Sequence, residues 1–164
     1  AYGVEFLARK VLSAVPVYGL ATVSLNRTEF MSIDGVARPG AFETRWIANL
    51  LGGWRPSATW EFSGKVRAAS GLPTTPFITS GPRAGQQDFT RYNAGGRLPT
   101  FASLDLRADR RWSFAHRQLI AYFDLQNVTG AKGVGNTYWD PRTKSVLKNE
   151  SIGILPSIGI NLMF

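Results

Sequence analysis

At Ile158, Ile160, Leu162 and Phe164 large apolar side chains alternate with Ser157, Gly159 and Asn161, a period of two that puts one set on each face of a β-strand. The same pattern recurs in seven segments, roughly 3–15, 20–30, 44–51, 58–70, 101–112, 117–128 and 152–164. No segment shows the 3.6-residue spacing of a convincing helix. The two faces differ in the same sense each time. Trp60, Phe62, Val66 and Ala68 oppose Glu61, Ser63, Lys65 and Arg67, and Leu104, Leu106 and Ala108 oppose Asp105, Arg107 and Asp109. Leu119, Ala121, Phe123 and Leu125 oppose Tyr122, Asp124 and Gln126. Residues 1–164 are therefore predicted to be all-β, with antiparallel up-and-down strands in one open curved sheet.

Hydrophobic residues at 44% and aromatics at 12% exclude a disordered chain. No run of about 18 uninterrupted apolar residues exists, which excludes a transmembrane helix but leaves open spanning strands of about 9–11 residues. The net charge of +8 invites a nucleic-acid reading. The Lys and Arg residues are scattered along the alternating segments, without a basic helix or stacked-aromatic signature, so nucleic acid is not expected as a partner. The absence of cysteine fits an oxidising compartment. The sequence opens at Ala1 in a strand-like pattern, and the expectation is a processed leader or a fragment.

Alternation alone does not say which face is dry. In a soluble barrel or sandwich the apolar face is the packed interior, whereas in a membrane barrel it meets lipid and the charges line a wet lumen. The expected connections, 16–19, 31–43, 52–57, 71–100, 113–116 and 129–151, are short and long in strict alternation. Antiparallel neighbours then place tight turns at one end and long loops at the other, as in outer-membrane barrels. Aromatics are expected to band at both ends, with Tyr18, Trp54, Trp112, Phe114 and Phe164 at the short-turn end and Phe30, Trp46 and Phe101 at the other.

Several phrases carry a family resemblance: G-V-E-F-L-A-R-K from Gly3, A-A-S-G-L-P-T-T-P from Ala68, G-G-R-L-P-T-F-A-S-L-D-L-R from Gly95, Y-F-D-L-Q-N-V-T from Tyr122 and L-P-S-I-G-I-N-L-M-F from Leu155. In that order they resemble the final strands of TonB-dependent outer-membrane receptors, over essentially the whole chain. The resemblance implies a 22-stranded barrel of which these strands are the C-terminal part, with the plug domain and TonB box outside this sequence. It implies TonB-energised uptake of a scarce nutrient such as siderophore-iron, cobalamin or a glycan, and no enzyme activity. The implied partners are outer-membrane lipid and lipopolysaccharide, the receptor's own plug domain, TonB, the barrel assembly machinery and a small-molecule substrate. Phe164, with Ile160 and Leu162, is implied to be the signal that the assembly machinery reads.

No catalytic, cofactor or metal residue is expected. His116 in S-F-A-H-R has no second His and no Cys to converge with it and reads as a solvated turn residue. G-A-K-G-V-G at 130–135 lacks the ending of a phosphate-binding loop and reads as a flexible loop. N-R-T, N-V-T and N-E-S at Asn26, Asn127 and Asn149 match the glycosylation pattern, which has no standard meaning in a bacterial protein. Glu61, Lys65, Arg67, Asp105, Arg107, Asp109 and Asp124, with Glu5, Arg9 and Arg111, are expected to face the lumen and to serve hydration and the plug. In the long loops Arg91, Tyr92, Tyr138 and Trp139 are the candidate contacts to substrate. Two rival readings stand beside this one: an outer-membrane barrel hydrolase with catalytic groups at the mouth, and a soluble β-sandwich binding module.

Overall fold

A computed structural model describes all residues, 1–164. Seven strands form the main sheet: β1 (Tyr2–Lys10), β2 (Val17–Arg27), β5 (Trp46–Trp54), β6 (Trp60–Ala69), β7 (Phe101–Phe114), β8 (Arg117–Gln126) and β11 (Leu155–Met163). They lie in the order β1-β2-β5-β6-β7-β8-β11, every pair antiparallel. The sheet is open, with β1 and β11 as its edges. Each strand makes its extensive contacts with its hydrogen-bonded neighbours alone, so the sheet carries no second layer.

The expected seven strands are present, with shifted ends. The first stops at Lys10, and the turn that follows occupies 11–16 where a connection at 16–19 is expected, so Val17 and Tyr18 are already in β2. Two connections taken for plain loops contain hairpins. Residues 28–45 hold β3 (Glu29–Met31) and β4 (Ala37–Pro39), and residues 127–154 hold β9 (Val134–Asp140) and β10 (Ser145–Glu150). The supposedly flexible stretch 130–135 thus runs into an ordered strand. The turn of the first hairpin uses Gly35 at φ 71, a left-handed conformation that costs glycine little.

Register decides the faces, because residues directly opposite across a ladder point the same way. Val4↔Leu25, Phe6↔Val23 and Ala8↔Ala21 begin a row that continues through Val23↔Ala48, Leu50↔Val66, Val66↔Leu104, Ala108↔Phe123 and Phe123↔Ile158. The apolar sets of all seven strands therefore share one face. Nothing covers it: Phe123 is 49% exposed and Ile158 81%. The opposite face carries Glu5, Asn49, Glu61, Lys65, Asp105, Arg107, Asp109, Asp124 and Asn161. Leu7, Leu20, Leu51 and Ile120 are apolar members of that charged face.

Candidate functional site: the charged face and the loop cluster

Only one large hydrophobic side chain in the protein is buried, Leu98, whereas Arg38, Glu43, Glu61, Asn93, Asp109 and Asn127 all are. Polar groups leave water at a cost of several kcal/mol unless hydrogen-bonded, so their partners define where the fold is specified. No buried side-chain nitrogen or oxygen lacks one.

On the sheet the partners form an ionic chain across the charged face. Glu61 on β6 accepts from the Tyr18 hydroxyl on β2, from Arg55 at 2.7 Å in the turn after β5, and from Arg111 on β7. Glu61 stands directly opposite Asp109, a like-charge pair that repels unless cations intervene. Arg107 supplies one of them, 2.7 Å from Asp109, with its guanidinium 3.9 Å over the Tyr122 ring. One register step further, Lys65 bridges Asp105 at 3.0 Å, and Asp105 also accepts the Asn127 backbone N–H at 2.8 Å. Asp124 lies opposite Arg107 and accepts from Gln126 at 3.1 Å. Arg67 is exposed and makes no ion pair.

Two glycines make this packing possible. The Tyr18 ring lies where a Cβ on Gly53 would sit 2.2 Å from it, and the Tyr122 ring covers Gly159, where the same distance is 2.4 Å. An aromatic ring laid over a strand glycine on the neighbouring strand supplies the contacts the glycine lacks. Tyr18 was expected in the aromatic band. It lies at the expected short-turn end, and register opposite Gly53 puts it on the charged face with its hydroxyl on Glu61. Phe101, at its expected end as the first residue of β7, also lies on the charged face: paired with Ala69, it shares the parity of Ser103 and Asp105. The band on the apolar face at the short-turn end consists of Trp54, Phe62, Trp60, Trp112 and Phe114. Within it Trp60 and Phe62 stack at 5.8 Å and Trp54 meets Phe62 at 6.0 Å. Trp46, at the other end, keeps its expected place on the apolar face.

At the opposite end the long loops bind one another. Arg97 pairs with the Glu43 carboxylate, donates to the Glu43 carbonyl at 2.9 Å and reaches the Gly71 carbonyl at 3.0 Å. Asn93, left-handed at φ 54, donates to the Pro39 carbonyl at 2.8 Å. Arg38 clamps Asp34 within its own hairpin at 2.6 Å and reaches the Thr90 carbonyl at 3.4 Å. The Asp34 carboxyl, hydrogen-bonded by Arg38 and by the Val36 N–H, is held down at about 2. Leu98, next to Arg97, is buried, its backbone N–H bonded to the Leu72 carbonyl at 2.9 Å.

The four loop residues proposed as substrate contacts do not converge on one spot. Tyr92 packs edge-on against Phe30 at 5.9 Å, and the Trp139 ring lies against Gly85, so both join one loop to another. Arg91 and Tyr138 are exposed. Glu43, Asn93 and Arg97, which organise the cluster, are invisible to periodicity because their partners lie 54 residues away. Where the charged face meets the loops a groove of about 450 Å³ opens between Arg67, Leu72, Phe101, Val134, Asn149 and Glu150. It combines an aromatic wall with one cation and one anion, and Glu150 is already paired with Lys132 at 3.1 Å.

His116 lies in the two-residue connection between β7 and β8. No three His, Cys, Asp or Glu side chains come together as metal ligands. No helix is long and apolar enough to cross a membrane, which says nothing of strands. Comparison with protein-family models, curated proteins and solved structures gave no match. Phe164 stays largely exposed, with the Arg117 guanidinium 5.4 Å over its ring, while Ile160 and Leu162 lie on the apolar face of edge strand β11.

Proposed function

We propose that this chain is the C-terminal part of a TonB-dependent outer-membrane receptor barrel, working in energised uptake of a scarce nutrient. The carrying observation is the inversion of burial. Seven strands turn their apolar side chains to one uncovered face and pair their charges on the other, which is the arrangement a bilayer demands and water penalises. Three short connections at one end and three long ones at the other, two of them bonded to each other, fit periplasmic turns and an outer mouth. In lipid the backbone groups along the free edges of β1 and β11 need partners, and further strands of the same barrel would supply them. On this reading Glu61, Lys65, Asp105, Arg107, Asp109 and Asp124 face the lumen and the plug domain, the groove beside Arg67 and Phe101 is where the mouth offers substrate contacts, and Ile160, Leu162 and Phe164 serve assembly.

Residues 1–164 contain no cysteine, and labelling of the unsubstituted whole protein supplies the background for single cysteines placed among them. In the whole protein in cells, a membrane-impermeant maleimide should label Arg142→Cys in the β9–β10 hairpin of intact cells, and His116→Cys only after the outer membrane is broken. Labelling of both in intact cells contradicts the orientation. Nutrient uptake that survives collapse of the proton-motive force contradicts the coupling.

A further inference from the structure

Arginines of the sheet are held in two ways, by a carboxylate or by aromatic rings, and Arg27, on the apolar face at the long-loop end, takes the first with Glu29 of β3. On the charged face Arg55, Arg107 and Arg111 each hold a carboxylate. Arg110 and Arg117 lie on the apolar face, where the seven strands place no Asp or Glu, and neither makes a salt bridge. Each lies over aromatic rings instead. Arg110 is 5.1 Å from the ring centroids of both Trp60 and Trp112, and Arg117 is 5.4 Å from that of Phe164. Register puts Arg110 opposite Trp60, the first residue of β6, and Arg117 opposite Phe114, the last of β7, so both cations belong to the short-turn rim.

Stacking fixes a guanidinium without using its N–H donors, since the ring attracts the cation through its face. Neither guanidinium makes a salt bridge, so its five N–H donors are free for a ligand. We propose that this rim, centred on Trp60, Arg110 and Trp112, binds the phosphate of an anionic membrane phospholipid. The proposal rests on the reading that the apolar face meets lipid, and it adds a headgroup preference and the residues that set it. With acyl chains over Phe62, Ala108 and Phe123, the phosphodiester oxygens arrive at the rim, where guanidinium–phosphate hydrogen bonds are strong and matched in geometry. The two tryptophans prefer the same depth for their own reasons. Lys10, Arg110 and Arg117 outnumber the terminal carboxylate of Phe164 at this rim, a positive balance that favours net-negative headgroups over zwitterionic ones.

The test uses the whole protein reconstituted in bilayer vesicles with a fixed fraction of phospholipid brominated in its acyl chains, which quenches nearby tryptophan. The quenching that is lost from the unmodified protein when Trp60 and Trp112 are replaced by Phe is the signal of the rim. When the brominated lipid is phosphatidylglycerol rather than phosphatidylcholine, its local enrichment should be about fivefold per engaged arginine. The preference should disappear in Arg110→Gln and fall in Arg117→Gln. If a glutamine variant does not fold, the unmodified protein should lose the preference between about 0.05 and 0.5 M salt as the charges are screened. Equal quenching by both lipids, unchanged by substitution or salt, overturns the headgroup site and leaves the lipid-facing reading standing. No quenching by either lipid overturns both.

Discussion

In the sheet Glu61 and Asp109 are enclosed while Phe123 and Ile158 lie open; in the loop cluster Leu98 is enclosed and Arg91 and Tyr138 lie open. The two regions are stitched by similar chemistry, arginine on carboxylate, yet their apolar groups point in opposite directions. The loop cluster is organised as a protein in water is, with a buried aliphatic side chain beside a polar network. The sheet leaves its apolar face uncovered, which on the proposed reading is the face that meets lipid. Both arrangements lie within one short chain, so a general shortage of hydrophobic residues does not explain the difference.

The largest effect that sharpens this contrast comes from one charge moved between neighbouring positions. Ile158→Lys and Ser157→Lys are adjacent on β11 and fall on opposite faces, Ser157 opposite Asp124. In a bilayer Ile158→Lys should cost about 2–4 kcal/mol of folding stability, as a midplane charge on the lipid side does. Ser157→Lys should stay within about 0.5 kcal/mol. Denaturant midpoints of the whole barrel in vesicles measure both. A face that met water would tolerate both changes equally, given how exposed Ile158 is.

Next is the hub of the charged face. Glu61→Gln keeps the shape but leaves Arg55 and Arg111 without their anion and weakens the acceptor for Tyr18, which should cost about 2–3 kcal/mol in the same assay. A midpoint unchanged to within error would mean that water, not Glu61, satisfies these groups. In the loop cluster Leu98→Ala should cost about 2 kcal/mol, confined to the loops. Hydrogen exchange at the Leu98 and Thr74 amides should accelerate about 30-fold while amides of β6 and β7 keep their protection. Acceleration throughout the sheet would show that the two regions are one cooperative unit.

How much of this was legible in the sequence follows from the same contrast. Strict alternation identified all seven main strands and the face of every charged residue assigned to the lumen, because period two is a local property. Strand ends were less legible, since Pro16 suggested a turn that in fact lies before it; the ends at which Tyr18 and Phe101 lie were readable, but not that both sit on the charged face. The loop hairpins escaped because β3 and β4 are three residues each, too short for a period to register, and because β9 begins inside a glycine-rich stretch. The Glu43–Arg97 and Asn93–Pro39 contacts had no local signal at all, since polar residues in long loops reveal their partners only in three dimensions. The repulsive pairing of Glu61 with Asp109 was likewise unreadable until register was known.

The smallest expected effect is at the tip of the loop cluster. Arg38 and the Val36 N–H hold the Asp34 carboxyl at about 2, below its ordinary 3.8. A carboxyl lowered on folding stabilises fully above the ordinary value and loses that contribution as pH falls towards and through 2. The β3–β4 hairpin should therefore loosen only below about pH 4, with an Asp34 carboxyl titration midpoint near 2 by carbon NMR. Asp34→Asn should abolish the pH response. A midpoint at the ordinary value would show that Arg38 does not hold it.

The central claim, that the apolar face meets lipid and the charged face meets water, is tested most directly along β7. Single cysteines at successive positions from Ala102 to Asp109, spin-labelled in the whole protein in bilayers, report collisions with oxygen, which concentrates in lipid, and with a polar nickel chelate, which stays in water. The account predicts a period of two, with oxygen favoured at 102, 104, 106 and 108 and the chelate favoured at 103, 105, 107 and 109. Profiles without that period, or with its phase reversed, would contradict it.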